Sequence, residues 1–234
     1  MATRFKDRTD AGRQLAERLA HLRDEQPIVL ALPRGGVPVA YEVAHALHAP
    51  LDVLNVRKLG VPWQEELAMG AIATGGVRVL NNDVIMNARI TTEMLEQATA
   101  LQRLELDRRE RLYRSGRPAP DLRGRTVVLV DDGVATGATT RAAIAVIRAQ
   151  APARLVLAVP VAQDTVAAEL ARAVDELVCV TTPGDLYAIG AWYDAFPQLS
   201  DAEVQRILMR AAAEPVHAGE AVREPDGEEK IPVT

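Results

Sequence analysis

The sequence has little cysteine, few aromatic residues and no long apolar run. A single cysteine among 234 residues excludes an intramolecular disulfide framework and a cysteine-rich zinc site. The most apolar stretch, Leu155 to Ala162, is far too short to cross a bilayer. The polar N-terminus also lacks the apolar segment of a signal peptide. We therefore expect a cytoplasmic protein with no membrane partner.

The sequence also lacks a basic excess. Lys and Arg number 27 against 32 Asp and Glu, which gives a net charge of -5 at pH 7. Binding to a polynucleotide requires many cations to neutralise phosphates, so this balance argues against nucleic acid as a partner. Hydrophobic residues make up 48% of the chain but aromatic ones only 3%. The core must therefore consist of Ala, Val, Leu and Ile, which suits an α/β protein with buried parallel strands.

Short apolar segments alternate with amphipathic ones along much of the chain. This alternation is typical of a parallel sheet whose strands are joined by helices. We therefore expect a doubly wound, mainly parallel sheet. Its strands are predicted at 28–32, 53–56, 126–130, 154–161 and 177–181, and its helices at 10–22, 38–47, 140–149, 164–173 and 200–213.

The middle of the chain does not follow this alternation. Residues 59–76 are punctuated by glycine and proline, which predicts mostly loop with short strands. A long charged helix is predicted at 92–114, as part of a helical insertion at about 85–118. We expect one domain over residues 1–214. Residues 215–234 are acidic and contain proline, and they are expected to form a disordered tail.

The most informative string runs from Val127 to Thr139. Four apolar residues predict a buried strand, and Asp131 and Asp132 follow at its carboxyl end, where open α/β sheets bind ligands. The next loop offers backbone N–H groups, two threonine hydroxyls and a helix N-terminus to one phosphate. The two carboxylates would face hydroxyls or a metal beside that phosphate. A ligand with both a diol and a phosphate, such as a ribose 5-phosphate, fits this pattern. A Walker A loop requires Gly-Lys-Ser/Thr, which residues 137–139 lack.

The string resembles the phosphoribosyl-diphosphate (PRPP) motif of type I phosphoribosyltransferases. The resemblance implies that Asp131 and Asp132 hold the ribose hydroxyls. It also implies that they hold, directly or indirectly, the Mg²⁺ that accompanies PRPP. The loop that follows them would bind the 5′-phosphate. That loop consists of Ala135, Thr136, Gly137, Ala138 and Thr139.

A second segment matches the family's pyrophosphate-binding loop. It is the run Pro33 to Val37, directly after the first predicted strand. Arg34 would supply a fork of donors, while Gly35 and Gly36 would let the backbone approach a diphosphate closely. The resemblance also implies a non-proline cis peptide bond near Arg34–Gly35.

A third segment contains two basic residues, Arg57 and Lys58, after the second predicted strand. Family members place a basic residue there that reaches the pyrophosphate or its magnesium. The stretch that follows would be the mobile catalytic loop, which closes to keep water away from a ribosyl cation. The resemblance thus makes Asp131, Asp132, Lys58 and Arg34 the predicted catalytic residues.

The acceptor side of the predicted site is a variable hood, expected from the N-terminus and about residues 183–214. Tyr187, Trp192 and Tyr193 concentrate aromatic residues there and are predicted to stack on the acceptor. Packing of the last helix against the sheet is the alternative role for them. Ala135 stands where many 6-oxopurine enzymes carry Asp, so the resemblance does not support hypoxanthine–guanine salvage by that route. The layout is most similar to bacterial predicted phosphoribosyltransferases without an assigned acceptor.

The resemblance implies transfer of a 5-phosphoribosyl group from Mg-PRPP to a nitrogen acceptor such as a nucleobase, with release of pyrophosphate. Such a reaction belongs to nucleotide salvage. One alternative is a non-catalytic PRPP- or nucleotide-sensing regulator. A weaker one is a phosphatase acting on a phosphorylated sugar. Dimers are common in the family, and the predicted helix 92–114 would offer an interface for a homodimer.

Overall fold

The elements of the chain are known from a computed structural model that describes residues 4–114 and 116–214. The predicted tail, residues 215–234, lies outside the described residues. No described helix is both long and apolar enough to cross a membrane. The helices are α1 (Arg8–Arg18), α2 (Gly36–Leu47), α3 (Asn82–Asn87), α4 (Thr92–Arg114), α5 (Ala138–Arg148), α6 (Asp164–Leu170) and α7 (Asp201–Ala213). The strands are β1 (Ile28–Ala31), β2 (Leu51–Val53), β3 (Val56–Val61), β4 (Gln64–Ala73), β5 (Arg78–Leu80), β6 (Thr126–Val130), β7 (Arg154–Val161) and β8 (Glu176–Thr181).

Five strands form a parallel sheet in the order β2-β1-β6-β7-β8. β1 is buried along its whole length and β6 from Val127 onward, because both of their faces are apolar and both are covered. One face packs against α1, α2 and α7, and the other against α5 and α6. This arrangement confirms the predicted fold, a mainly parallel sheet with flanking helices.

A second sheet contains β3, β4 and β5, which are antiparallel. It shows that the prediction of mostly loop at 59–76 was wrong, and that the strand predicted at 53–56 is two strands in different sheets. The physical reason lies in Gly60 and Gly70. A Cβ atom would lie 2.5 Å from the Glu65 carbonyl oxygen at Gly60, and 2.5 Å from the Val79 carbonyl oxygen at Gly70. These glycines allow close approach of the backbone instead of marking turns.

The helix predicted at 92–114 is confirmed with those bounds as α4. It packs on the second sheet around a separate apolar core. Arg57 Nε donates to Gln102 Oε1 at 2.8 Å, and Arg78 Nη1 lies 2.7 Å from Glu96 Oε1. We call residues 56–114 the cap and the other described residues the body. The buried core of the cap consists of Leu59, Val61, Met69, Ile72, Leu95 and Leu106.

The N-terminal segment of the described chain meets residues 192–197 in the body. The Phe5 N–H donates to the Trp192 carbonyl at 2.9 Å, and the Asp194 N–H donates to the Phe5 carbonyl at 2.8 Å. The Tyr193 ring lies between two others, with its centroid 5.3 Å from that of Phe5 and 4.8 Å from that of Phe196. We call residues 5–8 and 192–197 together the terminal clamp.

Candidate functional site

The loops that follow β1 and β6 leave the parallel sheet at the same edge. The two strands are neighbours, with Ala31 opposite Val130. The Leu32 N–H donates to the Val130 carbonyl at 2.9 Å, which continues the pairing to the start of the predicted pyrophosphate loop. The carboxyl edge of a parallel sheet is where such folds bind ligands. The structure therefore brings the predicted pyrophosphate loop and the acidic pair together at that edge.

Two glycines make this close approach possible. A Cβ atom on Gly35 would lie 2.0 Å from Asp132 Oδ2, and one on Gly36 would lie 2.9 Å from the Asp131 Cα atom. Both distances are shorter than any side chain tolerates. Gly35 and Gly36 are thus required for the two loops to touch, in addition to any contact that they make with a ligand.

The two carboxylates of the acidic pair have different surroundings. Asp132 is only 8% exposed, and its Oδ2 accepts a hydrogen bond from Arg8 Nε at 2.8 Å. Asp131 is half-buried, and its Oδ1 accepts from the Asp132 N–H at 2.9 Å. Burial and the neighbouring Asp132 carboxylate raise the pKa of Asp131 well above its usual range. Burial also raises the pKa of Asp132, although Arg8 opposes this shift. Asp131 is therefore the carboxylate that a ligand can reach more easily.

Arg8 is a site residue that the sequence interpretation missed. It is the first residue of α1, because the Asp7 side chain accepts from the Asp10 N–H at 2.8 Å and starts the helix earlier than predicted. Arg8 Nη1 donates to the Pro197 carbonyl at 2.8 Å, and its guanidinium carbon lies 3.7 Å from the centroid of the Phe196 ring. Its carboxylate partner is 124 positions away in sequence. No local spacing could have indicated this pair.

The three predicted acceptor residues differ in their exposure to solvent. Tyr193 is 2% exposed, and its hydroxyl donates to the backbone carbonyl of Asp132 at 2.6 Å. Its ring lies inside the terminal clamp, so the prediction that Tyr193 stacks on a base was wrong. Burial raises the pKa of Tyr193 as well. Tyr187 is 95% exposed and Trp192 is half-buried, so their predicted contact with an acceptor stays a prediction.

The predicted 5′-phosphate loop is fixed at both ends. At its start, the Val134 N–H donates to the Val161 carbonyl at 2.8 Å. At its end, Gly137 has a φ of +73°, which favours glycine, and α5 begins at the next residue. Arg141 Nη1 donates to the Thr136 carbonyl at 2.8 Å. The Thr136 and Thr139 side chains are exposed, so the loop presents hydroxyls and a helix N-terminus.

Arg34 is positioned by groups outside its own loop. Its side chain is 40% exposed, and Nη1 lies 3.7 Å from Asp201 Oδ1 on α7. The same Asp201 atom accepts a hydrogen bond from the Tyr113 hydroxyl at 2.6 Å. The cis peptide bond is Pro33–Arg34, one residue before the bond that the resemblance implied.

Arg57 and Lys58 lie on β3, within a strand and not at the end of one. Both line a cavity of about 630 Å³ between β3, α4 and the first turn of α5. Thr139, the last residue of the predicted phosphate loop, lines the same cavity. The structure thus brings the two predicted cations of the cap to the end of that loop.

Few groups of the protein itself are arranged for a metal ion. Within residues 4–114 and 116–214, no group of three or more His, Cys, Asp or Glu side chains is placed to hold one. Asp132 Oδ2 is engaged by Arg8, which leaves Asp131 as the accessible carboxylate. Mg²⁺ is commonly bound by one or two carboxylates together with substrate phosphates. The residues present fit a magnesium ion that arrives with a diphosphate.

Comparison with known proteins confirms the family to which the sequence motifs point. The chain belongs to the phosphoribosyl transferase domain family, whose model matches residues 3–182. A Mycobacterium tuberculosis protein named "Putative phosphoribosyl transferase Rv0571c" is 52% identical over 215 residues, covering 92% of this chain and 48% of that protein. The chain thus spans about half the length of the curated relatives it matches. The crystal structure of TT1426 from Thermus thermophilus has a TM-score of 0.81 and 46% identity, covering 88% of this chain and 98% of that one.

Proposed function

We propose that this protein transfers the 5-phosphoribosyl group of Mg-PRPP to a nitrogen acceptor and releases pyrophosphate. The observation that carries the proposal is the contact between two loops at the adjoining ends of β1 and β6, with Gly35 against Asp132. PRPP carries a diphosphate, a diol and a terminal phosphate on one ribose. A site for PRPP therefore needs a pyrophosphate loop, a carboxylate and a phosphate loop side by side. Membership of the phosphoribosyl transferase domain family supports the proposed reaction.

Each part of PRPP has a proposed partner at this edge. Asp131 orients the ribose hydroxyls, and its ionised form favours the positive charge that develops on the ribose in the transition state. The loop 135–139 anchors the 5′-phosphate through N–H groups and exposed hydroxyls. Arg34 and the backbone of Gly35 and Gly36 hold the pyrophosphate, and Lys58 approaches from the cap.

Mg²⁺, when bound, neutralises charge on the diphosphate as it leaves. Asp131 is the carboxylate proposed to contact it, because its side chain is half-buried and not paired with Arg8. A contact from Asp132, also predicted from the resemblance, would require that carboxylate to leave Arg8. Most of the ion's ligands would then be oxygens of PRPP and water.

The acceptor is proposed to be a nucleobase-like compound, so that the product is a nucleotide in a salvage reaction. Tyr187 and Trp192 stay the aromatic candidates beside the site, since Tyr193 is enclosed. A base could stack on either ring, which would be worth about 1–3 kcal/mol per base. Ala135 stands where many 6-oxopurine enzymes carry an Asp. Without that carboxylate, a 6-oxopurine is not favoured as the acceptor.

The test is a reaction of labelled PRPP with a panel of purine and pyrimidine bases, with and without Mg²⁺. We expect a labelled nucleotide and pyrophosphate with at least one base, and only when Mg²⁺ is present. Asp131→Asn should abolish product formation, while Asp24→Asn, at an exposed position before β1, serves as the matched control. Release of inorganic phosphate in place of pyrophosphate would contradict the proposal and favour a phosphatase.

The second candidate function is PRPP or nucleotide sensing without turnover. One observation favours it: the stretch expected to close as a mobile loop is a β-hairpin packed against α4. A protein that only senses PRPP has no need for such closure. Tight binding of Mg-PRPP with no nucleotide formed from any base would support this candidate and count against the enzyme.

A further inference from the structure

Arg8 is a buried cation that the proposed reaction does not use. An ion pair in the interior is costly unless its geometry is good and its remaining donors are satisfied. Arg8 has good geometry and partners for two of its donors, since Nε donates to Asp132 Oδ2 and Nη1 donates to the Pro197 carbonyl, each at 2.8 Å. The Phe196 ring covers the guanidinium, which adds a cation–π contact. Arg8 is therefore held in one orientation, with its charge directed at Asp132.

The Asp132 carboxylate, which Arg8 binds, also contacts the predicted pyrophosphate loop. A Cβ on Gly35 would lie 2.0 Å from Oδ2 and 2.9 Å from Oδ1, so both oxygens lie against the backbone of that loop. The backbone of Asp132 is held as well, because its carbonyl accepts from the Tyr193 hydroxyl at 2.6 Å. The carboxylate is thus fixed between Arg8 on one side and Gly35 on the other.

We propose that Arg8 is a positioning residue, which acts through Asp132 to place the Gly35–Gly36 backbone relative to Asp131. On this view Asp132 supports the pyrophosphate loop, and contact with the ribose falls to Asp131. The inference rests on the proposed function, because the loop that Arg8 positions is the one proposed to bind the diphosphate.

A purely structural role for Arg8 makes a different prediction. Through Pro197 and Phe196, Arg8 also holds the terminal clamp together. If that were its whole role, substitution would reduce stability without a specific effect on the pyrophosphate loop. If Arg8 acts through the Asp132 carboxylate, its effect on ligand binding must disappear once that carboxylate has been removed.

The experiment measures the Kd of Mg-PRPP by titration calorimetry for Arg8→Met, Arg8→Lys, Asp132→Asn and the double variant Arg8→Met/Asp132→Asn. Methionine keeps much of the packing on Phe196 and removes every donor. We expect Arg8→Met to raise the Kd about tenfold or more and Arg8→Lys to raise it less, because one charged donor remains. The double variant should bind no worse than Asp132→Asn alone. Arg13→Met on the same helix removes an exposed pair with Glu42 and should change the Kd less than about twofold.

A second measurement needs no ligand. The amide resonances of Gly35 and Gly36 are sensitive to the position of the loop and to its contact with Asp132, and we expect them to shift in Arg8→Met but not in Arg13→Met. If the wild type binds no Mg-PRPP, the proposed function fails while these resonances still decide the role of Arg8. If Arg8→Met does not fold, Arg8→Lys is used for both measurements. Unchanged glycine resonances together with an unchanged Kd would overturn the inference.

Discussion

The body and the cap both pack helices on a sheet, yet they are stabilised in different ways. In the body, parallel apolar strands lie between two extended cores, and the terminal clamp contacts Asp132 of the acidic pair. In the cap, three antiparallel strands and α4 share a core of six buried residues, reinforced by pairs at the surface. The body is thus built to hold anion-binding loops in place. The cap is a small unit whose local stability can differ from that of the rest.

This contrast changes how closure over a substrate would have to occur. Leu59 and Val61 of the hairpin are buried against the side chains of α4. A movement of the hairpin alone would expose them, so hairpin and helix are expected to move together if they move at all. Substitutions in the cap and in the body can test separately how each of the two is stabilised.

The largest effect is expected from Leu106→Ala in the core of the cap. Truncating a buried leucine to alanine costs about 2–5 kcal/mol, and here the loss should fall on the cap. Hydrogen exchange should show faster exchange in β3, β4 and α4, with protection kept in β1 and β6. Leu104→Ala, on the same helix but 72% exposed, is the control. Equal loss of protection in β1 and β6 would show that the cap and body unfold as one unit.

Gly35→Ala in the body should have the next largest effect on stability. The added methyl group meets Asp132, and overpacking of this kind costs about 1–3 kcal/mol by urea denaturation. Binding of Mg-PRPP should be lost, because the two loops can no longer touch. In Gly184→Ala the added Cβ atom would lie 3.8 Å from Asp164 Oδ2, so this control should leave stability almost unchanged. A Gly35→Ala protein with native stability and affinity would show that the loop contact is not required.

Tyr193→Phe should be milder. It removes the hydroxyl that donates to the Asp132 carbonyl and leaves the ring packed in the terminal clamp. A lost hydrogen bond of this kind costs about 0.5–1.5 kcal/mol, with some added cost for the unpaired carbonyl. Thermal unfolding measures the change, and Tyr187→Phe, at an exposed position, should leave the melting temperature as it is. Equal melting temperatures for the two variants would mean that the buried hydroxyl contributes nothing.

The smallest effect is expected at the surface of the cap. Arg78 and Glu96 form a partly exposed pair at 2.7 Å, and such pairs contribute about 0–1 kcal/mol. Arg78→Gln should therefore lower stability only slightly, and this small loss should vanish in about 0.5 M salt, which screens exposed charges. Glu96→Gln and the double variant Arg78→Gln/Glu96→Gln complete a double-mutant cycle for the pair. A coupling as large as that of a buried pair would show that the cap depends on its surface pairs more than on its core.

The same contrast explains what the sequence could predict. The strands at 126–130 and 154–161 were predicted with their observed bounds, because buried parallel strands are continuous apolar runs. The helix at 92–114 was predicted for a similar local reason, its periodicity. The strands β3 and β4 were predicted mostly as loop, because the sequence does not distinguish a glycine that marks a turn from one, such as Gly60 or Gly70, that allows close approach of the backbone. Arg8 and Tyr193 were missed or misassigned, since their roles depend on contacts across most of the chain.

The terminal clamp has a consequence for the order in which the site forms. Arg8 is synthesised before its carbonyl and ring partners, Pro197 and Phe196, which lie 189 and 188 positions later along the sequence. Contacts of such long range form late, because closing so large a loop is entropically costly. A nascent chain can therefore assemble β1 and β6 while Asp132 still has water beside it. Its surroundings are completed only when residues 192–197 return to the N-terminal segment.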